Sequence, residues 1–364
     1  MTNWYEINDT NQLDSPALVV FTERVKHNIA EAIKMVGVAE RLRPHVKTHK
    51  SKEVTQLLLQ AGITKFKCAT IAEAEMLAQC QAPDVLLAYQ PTGPKLQRFI
   101  NLAKKFTSTQ FSCLTDNIAA ATEQSIAFET AALCIPVFID LNVGMNRTGI
   151  LPDKEALELA HACRFLPGIQ LKGLHAYDGH IRDSDYAAKK EKCDAVFETV
   201  AALNNQLQLP VIIVGGSPSF SVHCKRSHIE CSPGTFVYWD KGYSNLCPEQ
   251  NFLPAAVLIT RVISLPAADK ICLDLGHKSV AAENEISRRV FFLNAPELQP
   301  ISQSEEHLVV TAPNNHAYKT GSILYGLPFH ICPTVALYEK VFTCENGTIT
   351  GSWQNIARNR TLTI

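Results

Sequence analysis

Lys47 stands between two histidines in Arg43-Pro44-His45-Val46-Lys47-Thr48-His49-Lys50. A lysine in a partly desolvated, cation-rich place loses its proton more readily and becomes a nucleophile toward a carbonyl carbon. Lys50, three residues on, is the rival nucleophile. Two further segments, Gly215-Gly216-Ser217-Pro218 and Ser232-Pro233-Gly234-Thr235, join glycine to a hydroxyl. Glycine lets backbone N–H groups approach an anion closely, and the hydroxyls add donors. Arg147 lies in the glycine-flanked run Gly144-Met145-Asn146-Arg147-Thr148-Gly149. Finally, Leu327-Pro328-Phe329-His330-Ile331-Cys332-Pro333 contains His-x-Cys. In a strand that spacing puts both side chains on one face, and imidazole with thiolate makes a good zinc pair. Two ligands are too few for a closed structural site, so positions remain for water or substrate. Taken singly, each feature has a plainer alternative: a solvated lysine, an ordinary turn, a surface arginine, or a core histidine beside a free thiol.

The elements that must position these residues alternate in type. Apolar runs of strand length alternate with segments of helical period. The first helix spans 23–36 and stops at Gly37. Thr70-Ile71-Ala72-Glu73 reads as a capping box, and Asp116 is expected to cap another helix. Counting from Arg43, eight strands contain Val46, Phe66, Leu86, Phe111, Ile139, Leu174, Ile213 and Ile229. That count matches a (β/α)8 barrel of TIM type, although a doubly wound open sheet also alternates. In a barrel, active-site groups gather at the C-terminal strand ends, and phosphate sites follow strands seven and eight. Lys47 ends the first strand, Arg147 follows the fifth, and Tyr177 follows the sixth. The two glycine-hydroxyl segments follow the seventh and eighth. After Asn251 the runs at 255–265, 270–275, 290–293, 307–311 and 340–343 read as strands without helices between them, hence an all-β domain. The expected division is 23–250 for the barrel, and 1–22 with 251–364 for a β-domain carrying the metal pair.

Composition narrows the function classes. The chain has 364 residues and 40.2 kDa, enough for one barrel and a smaller domain. Its net charge of −1 argues against a nucleic-acid-binding surface. No apolar run approaches the roughly 18 residues of a membrane span. The polar start Met1-Thr2-Asn3-Trp4-Tyr5-Glu6 lacks the apolar stretch of a signal peptide, so a cytoplasmic location is expected. Twelve cysteines without a Cys-x-x-Cys pair read as reduced, mostly buried thiols.

Together these segments resemble a known family. Asp140 with Gly144-Met145-Asn146-Arg147-Thr148-Gly149 resembles the motif of alanine racemases and other fold-type III pyridoxal phosphate enzymes. Arg43-Pro44-His45-Val46-Lys47-Thr48-His49-Lys50 resembles the cofactor-lysine segment of the D-serine dehydratase / D-threonine aldolase family. Gly173-Leu174-His175-Ala176-Tyr177-Asp178-Gly179-His180, the two glycine segments and Pro328-Phe329-His330-Ile331-Cys332 follow in that family's order. The resemblance runs from Ser15 to Phe342. It implies an alanine racemase-like barrel with pyridoxal 5'-phosphate on Lys47. Arg147 would face the cofactor's ring hydroxyl, Tyr177 would lie beside the cofactor, and Gly216, Ser217, Gly234 and Thr235 would hold its phosphate. His330 and Cys332 would bind a divalent metal. Family members carry His-x-Cys with zinc in D-serine dehydratases and His-x-Asp with manganese or a similar ion in D-threonine aldolases. The soft Cys332 favours zinc over manganese or magnesium, and hence a D-serine dehydratase-type lyase. The alternatives are D-threonine aldolase-type cleavage, an amino-acid racemase, and a non-catalytic pyridoxal phosphate-binding protein. The resemblance also implies a small D-amino acid substrate and a homodimer. His45, His49, Gln90, His175, Asp178 and His180 are further candidates for lining the pocket.

Overall fold

A computed structural model describes residues 3–364. The chain divides into two compact units. One holds the residues up to Ile29, Thr48–Glu53 and Thr235–Arg358; the other holds Ala30–Lys47, Val54–Gly234 and Asn359–Ile364.

The chain opens with β1 (Ala17–Phe21) and α1 (Thr22–Val36). There follow α2 (Lys52–Gln60), β2 (Lys65–Cys68), α3 (Ile71–Gln79), β3 (Asp84–Leu87), α4 (Gly93–Lys105), β4 (Gln110–Thr115) and α5 (Ile118–Thr130). The rhythm continues through β5 (Ile135–Leu141), α6 (Lys154–Cys163), β6 (Ile169–Ala176), α7 (Tyr186–Leu207), β7 (Val211–Val214), α8 (Phe220–His223) and β8 (Glu230–Cys231). Strands β2 to β8 form one parallel sheet in sequence order. A doubly wound sheet would reverse its order at a switch point; this one does not. The expected first strand forms no regular strand. Residues 42–46 instead make single parallel bridges, Leu42 with Cys231 and His45 with Lys67. They thereby touch both β8 and β2, and the sheet curls back on itself as a TIM-like barrel wall. Pro44 explains the irregularity, because it cannot donate to a ladder.

Leu86, Leu114, Phe138 and Ile213 pack as a cluster within this unit. Its helices start where short polar side chains cap them. Thr70 accepts from Glu73 N–H at 3.1 Å, and Glu73 in turn accepts from Ala69 N–H at 2.7 Å, one residue earlier than a strict capping box requires. Asn117, not Asp116, caps α5 by accepting from Ala120 N–H at 2.9 Å. Asp116 is drawn off to Gly149, whose N–H it accepts at 3.1 Å.

The other unit continues with α9 (Lys241–Leu246), β9 (Ala256–Ala267), β10 (Lys270–Leu273), β11 (Val290–Phe292), β12 (Gln299–Gln303) and β13 (Leu308–Thr311). It ends with β14 (Ile323–Pro328), α10 (Ile331–Leu337), β15 (Lys340–Glu345) and β16 (Thr348–Gln354). Its mostly antiparallel sheet runs β12-β13-β10-β9-β1-β15-β16, with β14 pairing β9 and β11. The early strand β1 is a central member here, antiparallel to β9 and parallel to β15. Val19, Phe21, Val257, Ile259 and Tyr325 form its core. The expectation of a helix-free tail fails at α10, which begins between the two candidate metal ligands.

Arg43 is 2% exposed. Its Nε donates to Glu230 at 2.7 Å, and its two terminal nitrogens donate to the Asp84 carboxylate at 2.6 and 3.0 Å. Burial alone lowers its pKa, but Asp84 and Glu230 outweigh burial and hold it above the ordinary arginine value. Arg43→Met should leave Asp84 without its buried cation and Glu230 with Lys65 alone, and lower stability by about 3–5 kcal/mol. Denaturant unfolding with an unchanged midpoint would show that the pair does not hold the barrel closed.

Candidate active site

The sequence-selected residues of the barrel unit cluster at its C-terminal strand ends. Lys47 is half-buried just past the bridging segment, and its N–H donates to His45 Nδ1 at 3.2 Å. Tyr177 follows β6 directly. Arg147 sits in the loop after β5, its guanidinium 4.9 Å from the Tyr177 ring centroid, within cation–π range. The loop is shaped by its own polar groups. Asn142 Oδ1 accepts from Gly144 N–H at 3.2 Å and from Asn146 N–H at 3.0 Å. Gly149 has φ +97°, and a Cβ there would fall 2.5 Å from Asn142 N. Only glycine fits, so Arg147 is held from both ends.

Beyond β7 the backbone turns at Gly215, φ +80°. A Cβ on Gly216 would fall 2.6 Å from Tyr177 Cε2, so the Tyr177 ring packs directly on the glycine backbone. Gly216 N–H donates to Ser219 Oγ at 3.2 Å, and Ser219 donates to Asp178 Oδ1 at 2.6 Å. His223 Nε2 meets Asp178 Oδ2 at 2.7 Å. Asp178 is fully buried. It does not line a pocket; it anchors the loop from beneath. Cys193 Sγ lies 3.9 Å from the same carboxylate, so thiol, imidazole and carboxylate are close enough for an ion. Each distance is equally that of a hydrogen bond, and Ser219 already takes one oxygen. The loops after β7 and β8 are joined by Gly234 N–H donating to Ser217 Oγ at 3.2 Å. An exposed cation, a half-buried lysine and a glycine cradle on one set of strand ends fit pyridoxal phosphate, which needs an amine, a partner for its ring hydroxyl and donors for its phosphate.

The other unit carries His330 and Cys332. Strand β14 ends at Pro328, so the two do not alternate along a strand as expected. His330 is the N-cap of α10, and Cys332 lies in its first turn. Asp240 builds this place: fully buried, it caps α9 through Tyr243 N–H at 2.8 Å and accepts from Ile331 N–H at 3.0 Å. His330 Nδ1 meets Glu283 Oε1 at 2.5 Å. Burial would depress the imidazole, but Cys332, Asp240 and Glu283 outweigh it and lift it to about 9. The site therefore favours a positive charge. Cys332 Sγ lies 3.1 Å from Thr48 Oγ1 and 3.6 Å from Thr235 Oγ1. An imidazole oriented through Nδ1 by a carboxylate, with a thiol two residues on, is a donor set that suits zinc.

The remaining candidates scatter. Gln90 accepts from Asp116 N–H at 2.8 Å and supports the loop after β4. A Cβ on Gly144 would fall 2.7 Å from His180 Nε2, so His180 faces the Arg147 loop. His49 is buried in the other unit, accepts from Ser51 N–H at 3.2 Å, and is pushed down to about 3 by burial. Lys50 also lies in that unit, in the left-handed conformation at φ +52°. His175 pairs with Asp140 at 2.7 Å. Sequence reading missed Lys67, which is buried beside that pair. The one signal was a lysine at an inward position of a strand.

Comparison with known proteins accords with this geometry. Residues 20–241, more than half of the chain, match the family "Alanine racemase, N-terminal domain", and residues 255–344 match "Putative serine dehydratase domain". A D-threonine aldolase of Arthrobacter sp. is 27% identical over 95% of this chain and 93% of its own length. D-threo-3-hydroxyaspartate dehydratase of Delftia sp. (strain HT23) is 28% identical over 64% of this chain and 63% of its own. Solved structures of a D-threo-3-hydroxyaspartate dehydratase include one with a histidine replaced by alanine. Another, in metal-free form, has the cysteine two positions further on replaced. The D-threonine aldolase of Filomicrobium marinum superposes with a TM-score of 0.87 over 96% of each chain at 24% identity, which establishes the shared fold. The chain thus belongs to the alanine racemase-like family of pyridoxal phosphate enzymes, within its branch of D-hydroxy amino acid aldolases and dehydratases, which are lyases.

Proposed function

We propose that this protein is a pyridoxal phosphate- and metal-dependent lyase of D-configured β-hydroxy amino acids, of the D-serine dehydratase type. The reading is carried by the His330–Cys332 pair, with Glu283 behind the imidazole. A thiolate ligand favours zinc, where a carboxylate in its place would favour harder ions. The same histidine-to-cysteine spacing among the dehydratase variants supports it.

Pyridoxal phosphate, when bound, takes up electron density from the substrate's α-carbon. Zinc at His330 and Cys332 would supply a Lewis acid for the β-hydroxyl. Lys47 Nζ would hold the cofactor, and its amine would take the proton from the α-carbon. Arg147, within cation–π range of Tyr177, would face the cofactor's ring hydroxyl. Gly216, Ser217, Gly234 and Thr235 would hold the phosphate through N–H and O–H donors. Loss of the β-hydroxyl leaves an unsaturated amine that hydrolyses to a 2-oxo acid and ammonia. The second reading is retro-aldol cleavage, favoured by the near full-length similarity to a D-threonine aldolase. There a base takes the hydroxyl proton, the Cα–Cβ bond breaks, and glycine and an aldehyde leave. A racemase or a non-catalytic carrier gives the metal pair no role.

D-Threonine separates the two lyases. With cofactor and zinc or manganese, 2-oxobutanoate and ammonia are expected by NMR; glycine and acetaldehyde would establish the aldolase instead. Lys47→Ala should abolish the visible absorbance of covalently held cofactor, and survival of that absorbance would pass the role to Lys50. Cys332→Ala should lower metal content and turnover about 10- to 100-fold with cofactor still bound. Metal analysis and assay showing no change would remove the pair from the mechanism.

A further inference from the structure

β2 brings to the barrel interior an amine that the proposed reaction leaves unused. Lys67 N–H donates to Pro44 O at 2.9 Å, and Lys67 O accepts from Val46 N–H at 2.9 Å. This sets Lys67 in parallel register with His45. Side chains alternate along extended chain, so Lys67 shares its face with His45; the chain leaves the extended form at Val46, just before Lys47. Lys67 is 3% exposed. Its Nζ lies 3.4 Å from His175 Nε2, while His175 Nδ1 lies 2.7 Å from Asp140 Oδ1. A carboxylate only accepts, so His175 carries its proton on Nδ1 and turns a lone pair on Nε2 toward Lys67.

The surroundings show what this amine is suited for. A buried lysine kept for structure is charged and paired with a carboxylate. Here the carboxylate is occupied by His175, and the lysine meets an imidazole. The charged groups acting on Lys67 lie on the segment that bridges to β2, on β5 and in the loop after it: Lys47 most strongly, then Asp140, Arg43 and Arg147, with the Tyr177 ring centroid 5.8 Å from Nζ. Burial first, then the Lys47 charge, bring Lys67 down to about 7. Burial followed by the Lys67 charge also lowers His175, and Asp140 is held low by His175 despite its own burial. Near neutral pH the amine therefore exchanges a proton readily, while its two supports keep fixed charge states.

We propose that Lys67 is a positioning residue that holds and releases the proton exchanged at Lys47 Nζ, with His175 and Asp140 fixing its amine in place. The proposal rests on Lys47 being the working amine. In the exchange an N–H bond at Lys47 breaks, its electron pair stays on that nitrogen, and the lone pair of Lys67 Nζ takes the proton. Nothing is oxidised, and no further reactant is needed.

The test uses the cofactor-loaded enzyme with Lys67→Met and, as a charged variant of similar length, Lys67→Arg. In the wild type kcat/KM should rise with pH through an inflection near pH 7; both variants should lose that inflection, and Lys67→Met should lower kcat by about 100-fold or more. Without substrate, the pH midpoint of the bound cofactor's visible absorbance should move by roughly one unit in Lys67→Met. If either folded variant keeps both the profile and the midpoint, Lys67 is structural and the proposal falls alone. If Lys47→Ala keeps its cofactor absorbance while Lys67→Met loses it, Lys67 is the attachment amine, and the reading of Lys47 falls as well. Should Lys67→Met fail to fold, Lys67→Arg and His175→Gln carry the same comparison.

Discussion

The barrel depends on one buried guanidinium. Arg43 sits in the only part of the barrel wall that is not regular strand, between Leu42 and Pro44. It reaches Glu230 on β8 and Asp84 on β3, and Lys65 adds a second cation to Glu230 at 2.5 Å. Backbone pairing at this seam is two isolated bridges with hydrogen bonds from Arg43 N–H to Cys231 O, His45 N–H to Pro233 O, Val46 N–H to Lys67 O and Lys67 N–H to Pro44 O. The guanidinium adds side-chain ties to this short ladder, and its planar fork suits two carboxylates at once. Four residues later the same segment delivers Lys47. The place of the reactive amine is thus set by an ion pair at the opposite end of its own segment.

The parallel strands were legible because each is a short run such as Val211-Ile212-Ile213-Val214, buried and bounded by Pro210 and Gly215. What sequence missed has physical causes. β16 is an exposed strand, Thr348-Ile349-Thr350-Gly351-Ser352-Trp353-Gln354, whose only partner is β15; it carries little apolar signal. β14 holds Gly326 and Pro328, residues that are uncommon inside strands. In fact a Cβ at Gly326 would fall 2.7 Å from Val290 Cγ2, so the glycine serves close packing between strands. The His330–Cys332 spacing is visible in the sequence, but a strand period assigns it the wrong geometry, since His330 caps a helix. Pro333 in the first turn of α10 was the available sign of a helix start, where an N–H has no helical partner to lose. Lys67 was hidden because its inward orientation follows from pairing with His45, a long-range register that one sequence does not display.

The loops at the strand ends show how local chemistry is made rigid without regular structure. Asn142 and Asp116 hold the Arg147 loop through backbone N–H groups, and Asp178, Ser219 and His223 brace the turn at Gly216. These carboxylates and amides are placed by the ends of β4, β5 and β6, so sheet register passes directly into loop geometry. Asp116 illustrates the economy of the arrangement. A residue that sequence assigns to a helix start instead secures Gly149, and Asn117 takes over the cap.

The alternation along β2 also limits how this site can change over time. Phe66 and Cys68 face away from the barrel interior and are wholly buried, while Lys67 faces in. A single-residue insertion or deletion ahead of Lys67 would turn the amine into the apolar layer beneath the helices and a benzyl group or thiol toward Lys47. Descendants of this sequence can therefore vary the site by replacing residues 45, 47 or 67 in place. Length changes must fall in the connecting loops, where no parity has to be kept.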